Sequence, residues 1–170
     1  MTSDQVILFF LVVHIVSAGI WVSQFVAELA LERFASVLKG KPSEAALALA
    51  RGNVNALMGT VGGVGLLISG VILTAGFHYG VVGIGGVFTP VWLSIMEIIF
   101  VIAMGLVGMT ITAPFRRLKP VLQQAVDANQ PLSSELKSSM DRLILMSRIV
   151  NVIVLINIFV GIYGVNGVIH

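Results

Sequence analysis

The chain has no cysteine, which excludes disulfides, thiolate metal sites, iron–sulfur clusters and covalent attachment of c-type haem. Charge is scarce as well. Lys, Arg, Asp and Glu make up 11% of 170 residues, against about 25% in soluble domains. With 57% hydrophobic residues and a mean hydropathy of +1.02, the composition is that of an integral membrane protein. Lys and Arg are also missing from particular places: the N-terminal segment, the stretch 78–90 and the C-terminal tail. All ten fall in or beside two inter-span segments, so the pI near 9.3 reports topology, and no nucleic-acid partner is expected.

Four apolar stretches are long enough to cross a hydrocarbon layer of roughly 30 Å at 1.5 Å per residue. They run over about 6–27, 54–77, 91–113 and 143–163. The expected fold is all-α: a single-domain, integral membrane four-helix bundle covering 1–170. Arg33, Lys39, Lys41 and Arg51 lie between the first two spans, and Arg116, Arg117, Lys119, Lys137 and Arg142 between the last two. By the positive-inside rule the segments 28–53 and 114–142 are cytoplasmic loops, and both termini face the periplasmic side of a bacterial-type inner membrane. The start MTSDQ lacks a basic n-region, so the first span is expected to stay as an anchor.

The loops carry their own signals. Pro42 and Ser43 start an alanine-rich run, predicting a short helix over Ser43–Ala50. Pro114, Pro120 and Pro131 are expected to break the second loop around a short surface helix at Val121–Ala128. Ser133 or Ser134 is placed to cap a final helix that begins outside the membrane. The second span holds Gly59, Gly62, Gly63, Gly65 and Gly70, whose small-xxx-small spacing predicts close helix packing rather than a nucleotide loop.

The first span, VILFFLVVHIVSAGIWVSQFVA, contains one ionisable side chain, His14. Helical spacing sets Ser17, Trp21, Gln24 and Glu28 on one stripe with it, and such a stripe needs partners that lipid does not offer. Counting rise from the outer ends puts His14 roughly 12 Å deep and Glu97 roughly 10 Å deep, with Ser69 and Asn157 near the same level. Glu97 is then either a protonated carboxyl bonded to Asn157 or His14, or a proton acceptor or cation ligand. His14 can be a structural histidine bonded to a neighbouring helix, an axial ligand of haem or another tetrapyrrole, or a copper ligand or proton relay. His78 and His170 fall at other depths, so a second histidine ligand is not expected. Arg148 and Asn151 share a face of the last span. Arg148 can pair with Glu28, reach headgroups, or clamp an anionic substituent roughly 13 Å inward of His14.

His14 followed by Trp21, in HIVSAGIW, resembles the first-helix motif of the HemJ-type protoporphyrinogen oxidases and is similar to the first helix of CopD-type copper-resistance domains. Arg148-Ile-Val-Asn151 resembles the Arg-x-x-Asn of the HemJ fourth helix, and the third span opens near Trp92 as that family's does. The resemblance implies a membrane-embedded b-type haem or related tetrapyrrole held through His14. It would be packed by Trp21 and the glycine face, with Arg148 and Asn151 on its substituents, and electron transfer or porphyrin oxidation as the activity. Glu97, from its own depth and charge, is expected to handle protons as the catalytic group. Two alternatives stay open. One is a non-catalytic accessory subunit of a homo-oligomer or larger membrane complex. The other is a copper-handling protein using His14, Glu97 and Met96.

Overall fold

The computed structural model describes residues 3–77, 90–165 and 167. Among them the fold is entirely helical: α1 (Ser3–Leu38), α2 (Ser43–Gly76), α3 (Val91–Leu106), a π-helical segment (Val107–Thr112), α4 (Ala113–Asp127) and α5 (Ser134–Val165). Four continuous helical stretches are long and apolar enough to cross a bilayer, the make-up of a multi-pass membrane protein. The third of them is α3, the π segment and α4 in one run. His78, His170 and nearly all of the 78–90 link lie outside the described residues.

The segments expected as loops are mostly helix. α1 continues past the apolar run because Leu29–Leu38 holds Leu, Ala, Glu and Arg and nothing that stops a helix. It ends where Gly40 takes a left-handed φ of 76°. Pro42 then opens α2, and the Glu44 carboxylate accepts the Gly40 amide at 2.7 Å, closing a connection of only four residues. The short helix expected at Ser43–Ala50 is therefore the first turns of α2. At 36 residues, α1 is about 54 Å long, well beyond a hydrocarbon layer. Apolarity marks the length that lipid can cover; backbone hydrogen bonding carries the helix further.

The second correction concerns proline. Pro114 and Pro120 were expected to break the chain, yet both lie within α4. Pro114 has no N–H for the carbonyl four residues back, and its ring crowds that carbonyl. The π turns over Val107–Thr112, just before it, widen the helix where a regular turn would collide. Val121–Ala128 is accordingly no separate surface helix. The break comes only after Asp127. Asn129 is left-handed (φ 50°), Gln130 N donates to Ala125 O and Asn129 N to Val126 O, a Schellman end with Asn in place of glycine. Ser133 then caps α5, its Oγ accepting the Leu136 amide at 3.2 Å, as its position predicted.

The helices pack as two antiparallel pairs. α1 lies along α2 with Ile7 at Gly76, His14 at Gly70, Ser17 at Gly65, Trp21 at Gly62 and Gln24 at Gly59. α3 lies along α5, Trp92 against Gly164 and Met96 against Gly161. A Cβ on Gly62 would stand 3.1 Å from the Ser17 carbonyl and 3.3 Å from the Trp21 amide, so backbone meets backbone there. This is the close approach that small residues permit in lipid, where helices gain packing rather than hydrophobic free energy from one another. Large side chains bridge the two pairs. Trp21 meets Phe100 edge-to-face at 5.9 Å, Met104 reaches Gly63, and Trp21, Ile111 and Val150 form one buried cluster. A second cluster, around Phe115, Leu122, Met140 and Leu143, closes the end of the bundle where α4 and α5 meet α2. Outward positions such as Leu8, Val12, Ile15, Val71 and Ile156 are exposed and apolar, which suits lipid.

Candidate functional site

The polar stripe of α1 is held by α2 along its whole length. His14 Nδ1 lies 3.0 Å from Ser69 Oγ, and Ser69 Oγ donates to the Gly65 carbonyl at 2.5 Å. A serine hydroxyl has one hydrogen. When that hydrogen is on the Gly65 carbonyl, Ser69 accepts from Nδ1–H of His14 and Nε2 keeps its lone pair. That tautomer is the arrangement found around metal-binding histidines, where a hydrogen bond at one nitrogen orients the other. The ring packs beside Gly70, whose Cβ position is 3.7 Å from His14 Cε1, an ordinary van der Waals contact.

Trp21 is 2% exposed, pressed on Gly62, Gly63 and Phe100. It fills the junction of α1, α2 and α3. The seam between α1 and α2 does not fit a tetrapyrrole ring, because Ser17, Trp21 and Met104 already occupy the glycine face. Glu97 is half-buried on α3, and the neighbouring Met96 packs its thioether on Gly161. Among the described residues no group of three or more His, Cys, Asp or Glu side chains could hold a metal ion.

A denser set of polar groups lies nearer the basic end. Glu28, 4% exposed, accepts hydrogen bonds from Arg51 at both carboxylate oxygens, the Nε bond being 2.9 Å, and from Asn55 Nδ2 at 2.6 Å. Arg51 is itself only 5% exposed. A buried carboxylate and guanidinium need one another, since either alone would be a naked charge in low dielectric. Gln24, Ser147 and Asn151 are buried around the same level, two of them on the face of α5 that includes Val150. Gln24 Oε1, Asn55 Oδ1, Ser147 Oγ and Asn151 Nδ2 have no hydrogen-bond partner among the described residues. Beside Asn55 is a cavity of about 10 Å³, the size that admits one water.

Arg148 pairs with Glu32 at 2.6 Å, both half-exposed, and not with Glu28. Glu32 is eighteen residues along α1 from His14, so the Arg148 guanidinium sits about 27 Å from the histidine along the helix axis. That is about twice the depth difference read from the sequence. His14 and Ser69 are therefore brought together, Trp21 and Asn151 are buried in neighbouring layers, and Arg148 stands apart from His14 at the other end.

Hydropathy does not mark Arg51 and Asn55 as site residues: the apolar span starts after Arg51, which leaves it looking like a topology charge. Their i, i+4 spacing on one face, opposite the stripe that ends at Glu28, was the available signal. Compared with known protein families, curated proteins and solved structures, the chain matches none.

Proposed function

We propose that this chain is a multi-pass protein of a bacterial-type inner membrane in which His14, half-buried at the edge of the α1–α2 seam, offers Nε2 to haem b or a related tetrapyrrole lying outside that seam. Its work is electron transfer or porphyrin oxidation. The observation that carries the reading is the chain of contacts from His14 Nδ1 through Ser69 Oγ to the Gly65 carbonyl, which favours the tautomer with its lone pair on Nε2. The resemblance of HIVSAGIW and Arg148-x-x-Asn151 to HemJ-type and CopD-type helices supports the same assignment. The gathering of every Lys and Arg at one end of the bundle supports the membrane part of the reading, with both termini on the outer side by the positive-inside rule.

The residues have distinct parts in this reading. Bound iron supplies one-electron exchange. Ser69 holds the imidazole in the ligating tautomer and fixes its plane. Trp21 keeps α1, α2 and α3 in register around the ligand, instead of stacking on a ring. Glu97, the one charged residue of α3, would be the group to take or release a proton if such a centre is bound. Arg148 is left with a structural pair.

Optical spectra of protein purified in mild detergent from a haem-replete host test the reading, oxidised and dithionite-reduced, beside His14→Ala. A Soret band with reduced α and β bands, lost in the variant, is the expected result. Colourless wild-type protein would refute it.

A further inference from the structure

Between α1, α2 and α5 at the basic end is a cleft of about 430 Å³, in the size range of small-molecule sites. Its charged lining is four cations (Lys39, Arg51, Lys137, Arg148) and three carboxylates (Glu32, Glu44, Asp141). Most of that charge is already matched. Arg148 is bonded to Glu32 at 2.6 Å, Lys137 lies 3.6 Å from Glu44, and Arg51 is bonded to Glu28 behind the wall. Two charges are left over, one of each sign: Lys39 on α1 and Asp141 on α5. Neither has an ion-pair partner among the described residues. The lining of the same cleft includes Leu47, Ala48, Met140 and Ile144, an aliphatic surface.

We propose that this cleft binds a zwitterion, a primary ammonium joined to an oxyanion by a short aliphatic linker. Lys39 takes the oxyanion, Asp141 takes the ammonium, and the Leu47–Met140 surface takes the linker. A purely anionic ligand would meet Asp141 without a counter-charge, and a purely cationic one would meet Lys39 and the Arg51 wall. Electrostatic complementarity of this kind sets specificity more than gross affinity. The chemistry is shared by a free zwitterion and by an ethanolamine phospholipid headgroup, and the cleft stands where a headgroup could reach it.

Native mass spectrometry of the full chain in detergent, titrated with phosphatidylethanolamine or phosphatidylglycerol, distinguishes the classes. A parallel thermal-shift titration uses O-phosphoethanolamine. Preferential retention of phosphatidylethanolamine identifies a lipid source, and a melting shift with O-phosphoethanolamine identifies a free one; either supports the site. Lys39→Gln and Asp141→Asn are each expected to weaken that binding about three- to tenfold. The double swap Lys39→Asp with Asp141→Lys should recover part of it. Both positions are exposed, so the fold survives the changes. No preference for phosphatidylethanolamine together with no melting shift from O-phosphoethanolamine, or binding unchanged in both single variants, would overturn the proposal.

Discussion

Glu28 and Arg51, twenty-three residues apart on α1 and α2, form an ion pair inside the bundle, with Asn55 donating to the same carboxylate. The pair locks the register of the α1–α2 hairpin within its most polar layer. Moving α1 by a residue would strand a buried charge. Close packing of glycines alone would tolerate such a slip more readily, so the charges specify what the small residues permit.

This yields a double-mutant prediction. Glu28→Gln or Arg51→Met alone leaves one charge buried without its partner and costs about 3–5 kcal/mol. The combination Glu28→Leu with Arg51→Met removes both charges and is expected to lose much less than the sum of the single changes. Thermal unfolding in detergent measures this. Additive losses would mean that the two residues do not depend on one another.

The glycines of α2 differ sharply from Gly19 of α1. A Cβ on Gly65 would overlap Ser17 Oγ, whereas one on Gly19 meets nothing within 4 Å. Gly65→Ala should destabilise the hairpin, and Ser17→Gly in the same chain should relieve much of that loss. Gly19→Ala is expected to be neutral or to stabilise by about 0.5–1 kcal/mol through helix propensity. Melting temperatures of the three variants decide the matter.

Gly52 makes a parallel case at the basic end. A Cβ there would run into the Phe115 ring, which is 4% exposed and central to the cluster that joins α4 to α2 and α5. Gly52→Ala is expected to unseat α4 first. Hydrogen exchange should rise over 113–127 well before it rises over the α1–α2 seam.

Arg148 provides a test that separates two roles. Its pair with Glu32 is half-exposed, and such pairs contribute about 0–1 kcal/mol. Arg148→Ala should therefore change stability little and leave any pigment on His14 untouched. A loss of pigment in this variant would restore Arg148 to the cofactor site.

The sequence made the helical architecture legible because apolar runs of this length have few other fates. The α1 stripe was legible for a related reason: Ser17, Trp21, Gln24 and Glu28, at helical spacing within lipid-compatible residues, are all buried. The neighbour of His14 was also within reach, since Ser69 shared its estimated depth and now bonds to it. Helix ends were another matter. Apolar runs stop where lipid stops, while α1 and α4 continue on backbone hydrogen bonds and side-chain packing. That continuation is what hid Arg51. Counted as a loop charge, it is a helical residue facing Glu28, and that carboxylate, one of the partners open to Arg148, goes to it instead. A lateral rotation between helices is not encoded in hydropathy; it depends on features such as the π turns ahead of Pro114.

The most direct measurement concerns the imidazole itself. Chemical shifts of ¹⁵N-labelled His14, in protein from a haem-deficient host, report which ring nitrogen carries the proton. The bond from Nδ1 to Ser69 predicts a protonated Nδ1 and an unprotonated Nε2, with Ser69→Ala shifting the balance between them. A protonated Nε2 in the unmodified chain, unaffected by Ser69→Ala, would contradict the ligand assignment for His14.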